Sequence, residues 1–79
     1  MAKVTIYSTP TCVYCKMAKE FFREHDITFE EKHVAEDRAA LEEMINKSGQ
    51  TGVPVIDIDG QIVIGFDRPT IAELLKIQE

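Results

Sequence analysis

Val4-Thr5-Ile6-Tyr7-Ser8-Thr9-Pro10-Thr11-Cys12-Val13-Tyr14-Cys15 is the stretch that decides the fold. From Val4 to Tyr7 the chain is apolar or β-branched on both faces, with Val4 and Ile6 on one and Thr5 and Tyr7 on the other. A strand of that kind belongs in the middle of a sheet, so Lys3–Ser8 is predicted as a central strand. Proline has no N–H to give to a ladder, and the chain leaves the sheet at Ser8-Thr9-Pro10. From Cys12 the apolar period changes from two to 3.6 residues. Cys15, Ala18 and Phe22 form one line and Tyr14, Met17 and Phe21 its neighbour, which predicts a helix from Cys12 to Asp26 with Thr11 as its N-cap. Lys16, Lys19, Glu20, Arg23 and Glu24 fall on the other side and read as a solvated face. Both cysteines of the chain stand at the first turn of this helix.

Downstream, Ile27 to Val34 alternates apolar and polar residues and is polar enough for a sheet edge. Strand, helix and strand within about 30 residues make a βαβ unit, which pairs its two strands in parallel. Asp37 is placed to cap a helix from Arg38 to about Ser48, with Leu41, Met44 and Ile45 as its buried line and Gly49 at its C-cap. Val53–Ile58 reads as a third strand, with Asp57 alternating to the solvent face. Asp59-Gly60 is a two-residue hairpin signal that brings Gln61–Ile64 back antiparallel. A last helix carries Ile71, Leu74 and Leu75, opened by a Thr70/Glu73 capping box or by Asp67. The order is β-α-β-α-β-β-α, an α/β architecture of four strands in one mixed sheet flanked by three helices.

A chain of 79 residues makes one domain, residues 1–79, and buries only about 60% of its unfolded surface. The net charge of −5 disfavours a nucleic-acid partner, because phosphate binding needs clustered Lys and Arg. No apolar run approaches the ~20 residues of a membrane span, and Met1-Ala2-Lys3-Val4 has no leader anatomy. The expectation is a cytoplasmic monomer. In a reducing compartment a structural disulfide is disfavoured, and one closing so short a loop would constrain the unfolded chain little.

The chemistry of the pair follows from its place on the helix. A cysteine at the first turn lies near unsatisfied N–H groups and the positive end of the macrodipole, both of which stabilise a thiolate. Cys12 has that position. Cys15, one turn inward beside Ala18 and Phe22, is kept a thiol by its apolar setting. Cys12 is therefore expected to attack a substrate disulfide, and Cys15 to attack Cys12 Sγ and release the reduced product. The competing reading joins Cys12 and Cys15 with His25 and His33 as a zinc set. Its intervals, nine residues before the first histidine and seven between the two, do not match zinc-finger spacing of about 12 and 3–5. No metal site is expected, and the histidines read as surface or rim residues. From the residues alone, Val53-Pro54 defaults to the trans isomer.

With these residues in view, the chain resembles the glutaredoxin family of the thioredoxin fold over nearly its whole length. Tyr7 to Cys15 is similar to that family's active-site strand and loop, centred on Cys-Pro-Tyr-Cys, with Val13 here in place of the proline. Gly52-Val53-Pro54-Val55 resembles its Thr-Val-Pro segment, and Gly65-Phe66-Asp67 stands where it carries a Gly-Gly turn and a polar pair. The resemblance implies a thioredoxin-like fold and a thiol–disulfide oxidoreductase acting on protein or small-molecule disulfides. It also implies a cis Pro54 facing the cysteines, no permanently bound cofactor, and glutathione as a co-substrate. Glutathione would be held by the Val53 backbone and by Asp67, with Tyr14 matching the active-site tyrosine. Thr9 stands where many members have a basic residue. Gly65-Phe66 with Arg68-Pro69 resembles the Ser-Gly-Phe-Arg-Pro stretch of NrdH-type redoxins, which implies a flavoprotein reductase as the alternative electron donor.

Overall fold

The structure, a computed structural model, describes residues 3–77. Its elements are β1 (Val4–Ser8), α1 (Val13–Glu24), β2 (Phe29–His33), α2 (Arg38–Ser48), β3 (Val55–Ile58), β4 (Gln61–Ile64) and α3 (Arg68–Leu75). The strands form one sheet in the order β2-β1-β3-β4, with β1 parallel to β2 and antiparallel to β3, and β3 antiparallel to β4. The predicted α/β order holds, and its central strand is the one predicted. Every residue of β1 is buried, while β2, with its alternating charges, lies at an edge.

The pleat of β1 sorts the core into two layers. Val4 and Ile6 pack with Ala18, Phe21 and Phe22 of α1 and with Ile71 and Ala72 of α3. Tyr7, on the opposite face, packs with Ala40 and Met44 of α2 and with Val55. In so thin a core single side chains matter. Truncating the fully buried Phe22 to alanine would cost about 3–5 kcal/mol, a large share of the stability of an ordinary domain.

Several local expectations change. The N-cap of α1 is Cys12, not Thr11: Cys12 has extended backbone angles, and its sulfur takes the acceptor position that a hydroxyl would fill. Tyr14 and Met17 are exposed rather than buried, because the covered face of α1 is centred on Cys15, Ala18 and Phe22. In α2, Ala40 and Met44 are buried, and Leu41 and Ile45 are only half-buried. The third strand begins at Val55, because Val53-Pro54 is a cis peptide outside the ladder. The first turn of α3 is capped by Asp67, whose Oδ1 accepts from Thr70 N–H at 3.4 Å and Oδ2 from the Thr70 hydroxyl at 2.8 Å.

Asp57 does not face open solvent. That side of β3 is covered by α2, and Asp57 Oδ2 lies 2.7 Å from Lys47 Nζ. Lys47 also reaches the Tyr7 hydroxyl at 3.1 Å and Glu43 at 3.1 Å, and Tyr7 Oη donates to Glu43 Oε1 at 2.7 Å. Lys32 joins Glu43 from β2 at 3.0 Å. The buried tyrosine thus has its hydroxyl satisfied by a charged network that ties β1, β2, β3 and α2 together, as a buried phenol requires.

Candidate active site

Three segments meet at one end of the sheet, and the strand registers bring them there. β1 and β3 pair Tyr7 with Val55 antiparallel, so the following residues Ser8 and Thr9 run alongside Pro54 and Val53. β3 and β4 pair Val55 with Ile64, which sets Gly65 beside Pro54, and the Gly65 N–H donates to the Pro54 carbonyl at 2.8 Å. Gly65 has φ +78°, a left-handed conformation that glycine adopts without strain. The loop that carries Cys12 leaves β1 at this same end. The cysteine loop, the Val53-Pro54 peptide and the Gly65-Phe66-Asp67 turn therefore lie at the same end of the sheet, and the cis isomer agrees with the resemblance rather than with the trans default.

There the two thiols differ sharply. Cys12 is partly exposed and Cys15 is buried with no accessible surface. The Cys15 backbone N–H donates to Cys12 Sγ at 3.1 Å, so an amide at the positive end of α1 points at the outer sulfur. Burial, with a further contribution from the adjacent Cys12, pushes the Cys15 thiol up to about 12, while the Thr9 backbone and the Lys19 charge act in the opposite direction. One sulfur is thus presented to solvent beside a donor, and the other is stored as a thiol one helical turn deeper.

Around the thiols, Val53 is half-buried and Pro54 is buried. Tyr14 projects into solvent with 62% of its surface exposed, next to Val13 at 65%. Phe66 is half-buried with its ring centroid 5.9 Å from that of Phe21, and the Arg68 guanidinium lies 5.3 Å from the Phe21 centroid. Further along α1, Met17, Glu20, Phe21, Glu24, Phe66 and Arg68 line a shallow depression of about 160 Å³ that, like the next, includes neither cysteine. A wider opening of about 750 Å³ between β2 and α2 contains neither cysteine.

The histidines of the zinc reading lie apart from the thiols. His25 packs on the Phe21 ring, and His33 sits 3.4 Å from Glu31. Among the described residues no three His, Cys, Asp or Glu side chains come together in a metal-holding group, and no helix is long and apolar enough to cross a membrane.

The family model described as glutaredoxin matches residues 4–63, a span that includes both cysteines and Pro54. The chain belongs to the glutaredoxin family. Glutaredoxins are thiol–disulfide oxidoreductases, and this member carries the paired thiols of that activity. It is 43% identical to glutaredoxin 3 of Escherichia coli (strain K12) over 67 residues, 85% of this chain and 81% of that protein. It is 37% identical over 71 residues to the glutaredoxin-like protein NrdH of Lactococcus lactis (strain IL1403), covering 90% of this chain and 97% of that one. Its structure superposes on the glutaredoxin of Archaeoglobus fulgidus with TM-score 0.86 at 27% identity, over 96% of this chain and 88% of that one.

One charged cluster close to the paired thiols of this glutaredoxin was not visible in the sequence. Lys19, assigned to the solvated face, has its ammonium 2.7 Å from Glu31 Oε2, and the two side chains are only 20% and 23% exposed. The fully buried Ser8 donates to the same carboxylate oxygen at 2.8 Å. The one available signal was the i, i+4 spacing of Cys15 and Lys19.

Proposed function

We propose that the protein reduces disulfides by a dithiol exchange in which Cys12 is the nucleophile and Cys15 the resolving thiol. The observation that carries this reading is the asymmetry of the pair: an accessible sulfur receiving an N–H at 3.1 Å, and a fully buried thiol one turn below it. Cys12, as its thiolate, attacks one sulfur of a substrate disulfide. The substrate S–S bond breaks, the departing thiolate takes up a proton, and Cys12 is left in a mixed disulfide. Two influences that raise the Cys15 thiol come from Cys12 itself, through their hydrogen bond and its negative charge. Both lapse once Cys12 is in a disulfide, so the first step makes the second thiol easier to ionise. Cys15 then attacks Cys12 Sγ and expels the second substrate thiol. Two electrons and two protons pass from the cysteine pair to the substrate.

Glutathione is the proposed co-substrate that returns the pair to the dithiol state. The Val53 backbone beside cis Pro54, the Asp67 carboxylate and Tyr14 would line its groove, and no permanently bound cofactor is invoked. The cytoplasm, which keeps thiols reduced, is the proposed compartment. A second reading is favoured by the exposed apolar side chains beside Cys12, namely Val13, Tyr14 and Met17, together with Phe66 on the same flank. Such a surface suits a protein donor, and a flavoprotein reductase of the kind that serves NrdH-type redoxins is that alternative.

A side-by-side assay decides the donor. The oxidised protein is supplied with NADPH and either glutathione plus glutathione reductase or thioredoxin reductase alone, and NADPH consumption is followed. Turnover with glutathione supports the first reading. Turnover only with the flavoprotein overturns it in favour of the second.

A further inference from the structure

The layer of the core beneath the cysteines holds charged groups that the exchange described above does not use. Ser8 points to the same face of β1 as Val4 and Ile6, and Glu31, the register partner of Ile6, is on that face of β2. Glu31 Oε2 accepts from Ser8 Oγ at 2.8 Å and lies 2.7 Å from Lys19 Nζ, while Glu31 Oε1 is 3.4 Å from His33 Nε2. Lys19 is one turn along α1 from Cys15 on the same helix face. The Cys15 thiol in turn sits against the backbone of Thr9, the neighbour of Ser8. Adjacent residues at the end of β1 therefore meet the two groups, Thr9 the resolving sulfur and Ser8 the Lys19–Glu31 pair. A largely buried ion pair is a weak source of stability, because desolvation offsets its attraction. What it does achieve is to hold an ammonium at a fixed depth.

We propose that Lys19 is a positioning residue for the resolving half-reaction: anchored by Glu31 and Ser8, its ammonium stabilises the negative charge that the buried Cys15 sulfur must carry to attack Cys12 Sγ. This rests on the assignment of Cys15 as the resolving thiol. The titratable groups around that sulfur are Cys12 and Lys19 on its own helix and, behind Lys19, Glu31 and His33 on β2. Ser8 and Thr9 at the end of β1, and Val53 to Val55 at the same end of β3, carry no charge. Burial opposes ionisation of Glu31, yet its hydrogen bonds from Lys19 and Ser8 hold it below the usual carboxylate range. Glu31, held as the carboxylate by those hydrogen bonds, is no acceptor for the Cys15 proton. The Cys15 proton passes to solvent as the sulfur ionises; the Cys15–Cys12 bond then forms as the Cys12–substrate bond breaks, and the second substrate sulfur departs as a thiolate, protonated by solvent where its own basicity requires it.

The test is stopped-flow reaction of the reduced protein with an aromatic disulfide whose released thiolate absorbs visible light. A first equivalent appears on attack by Cys12 and a second on resolution by Cys15. Lys19→Met should leave the first phase unchanged. It should slow the second by roughly two- to tenfold at neutral pH, since a rise of up to one pKa unit removes up to nine-tenths of the thiolate. The pH–rate profile of the second phase should move to higher pH, Lys19→Arg should restore it, and Lys19→Gln should repeat it should methionine disturb α1. Glu31→Gln keeps a side-chain oxygen to hold the Lys19 ammonium while removing the opposing negative charge, and should not raise the profile. An unmoved profile in Lys19→Met and Lys19→Gln, or the same upward shift in Glu31→Gln, overturns the proposal. Release of both equivalents at an unchanged rate by Cys15→Ser would instead sink the assignment of the resolving thiol on which it rests.

Discussion

Iodoacetamide added to the reduced protein at about pH 7.5 should label Cys12 and leave Cys15 almost untouched. Only the thiolate reacts. A thiol pushed up to about 12 is ionised to on the order of 1 part in 10⁴ to 10⁵ at that pH. That suppression acts before access is considered, and Cys15 has no accessible surface whereas Cys12 is partly exposed. Part of it disappears once Cys12 is alkylated, because the influence of its thiolate on Cys15 is then gone. Burial, the largest cause, remains, so the second equivalent should still react at least about a hundredfold more slowly than the first. Mass spectrometry of timed samples gives both rates. Labelling of Cys15 should climb by up to tenfold per pH unit, and in denaturant the two residues should react alike. Comparable labelling of both residues in the folded protein, or labelling of Cys15 first, would refute the reasoning.

Three further outcomes concern the framework. Tyr7→Phe removes a hydroxyl that donates to Glu43 at 2.7 Å and meets Lys47 at 3.1 Å. It should lower stability in urea melts by about 1–2 kcal/mol, or roughly 5–15 °C in Tm for a chain this small. Hydrogen bonds from Tyr7, Lys32 and Lys47 push Glu43 down to about 2, and the unfolded chain therefore binds more protons between about pH 4.5 and pH 2. Stability present near neutrality should fall as pH drops through that window, which urea melts at a series of pH values will show; stability unchanged down to pH 2 would contradict it. Asp67→Ala should destabilise the protein by about 0.5–2 kcal/mol through loss of the α3 cap, whereas Asp67→Asn should retain most of that stability. If Asp67 also holds glutathione, the asparagine variant should raise KM for glutathione with kcat little changed.

The fold was legible because its local signals agreed with one another. Apolar residues on both faces of Val4–Tyr7 could only mean a central strand. Asp37 and Gly49 bounded α2 where the structure has it, and Asp59-Gly60 fixed the hairpin. What the sequence hid was tertiary. Lys19 and Asp57 read as solvent-facing because periodicity ranks positions by polarity, and polar residues that meet a charged partner across a helix–sheet interface look the same as solvated ones. The extent of the buried stripe on α1 was overestimated for the same reason: period alone does not reveal that nothing covers Tyr14 and Met17. At the site, the spacing of Cys12 and Cys15 and their place after a strand carried the chemistry, and the resemblance supplied the cis Val53-Pro54 that residue statistics argue against. That Cys12 would serve as the cap of its own helix was open to inspection, but hydroxyl and carboxylate caps are so much commoner that Thr11 looked the better candidate.

The division of labour between the two sulfurs is tested most directly by trapping. The Cys15→Ser and Cys12→Ser variants are each reduced, mixed with a disulfide substrate and analysed intact by mass spectrometry without reductant. Cys15→Ser should accumulate one stable mixed disulfide per chain, located on Cys12, and Cys12→Ser should form none on the same timescale and show no reductase activity. A Cys12→Ser protein that still forms an adduct through Cys15 at a comparable rate, or still reduces the substrate, would contradict the account.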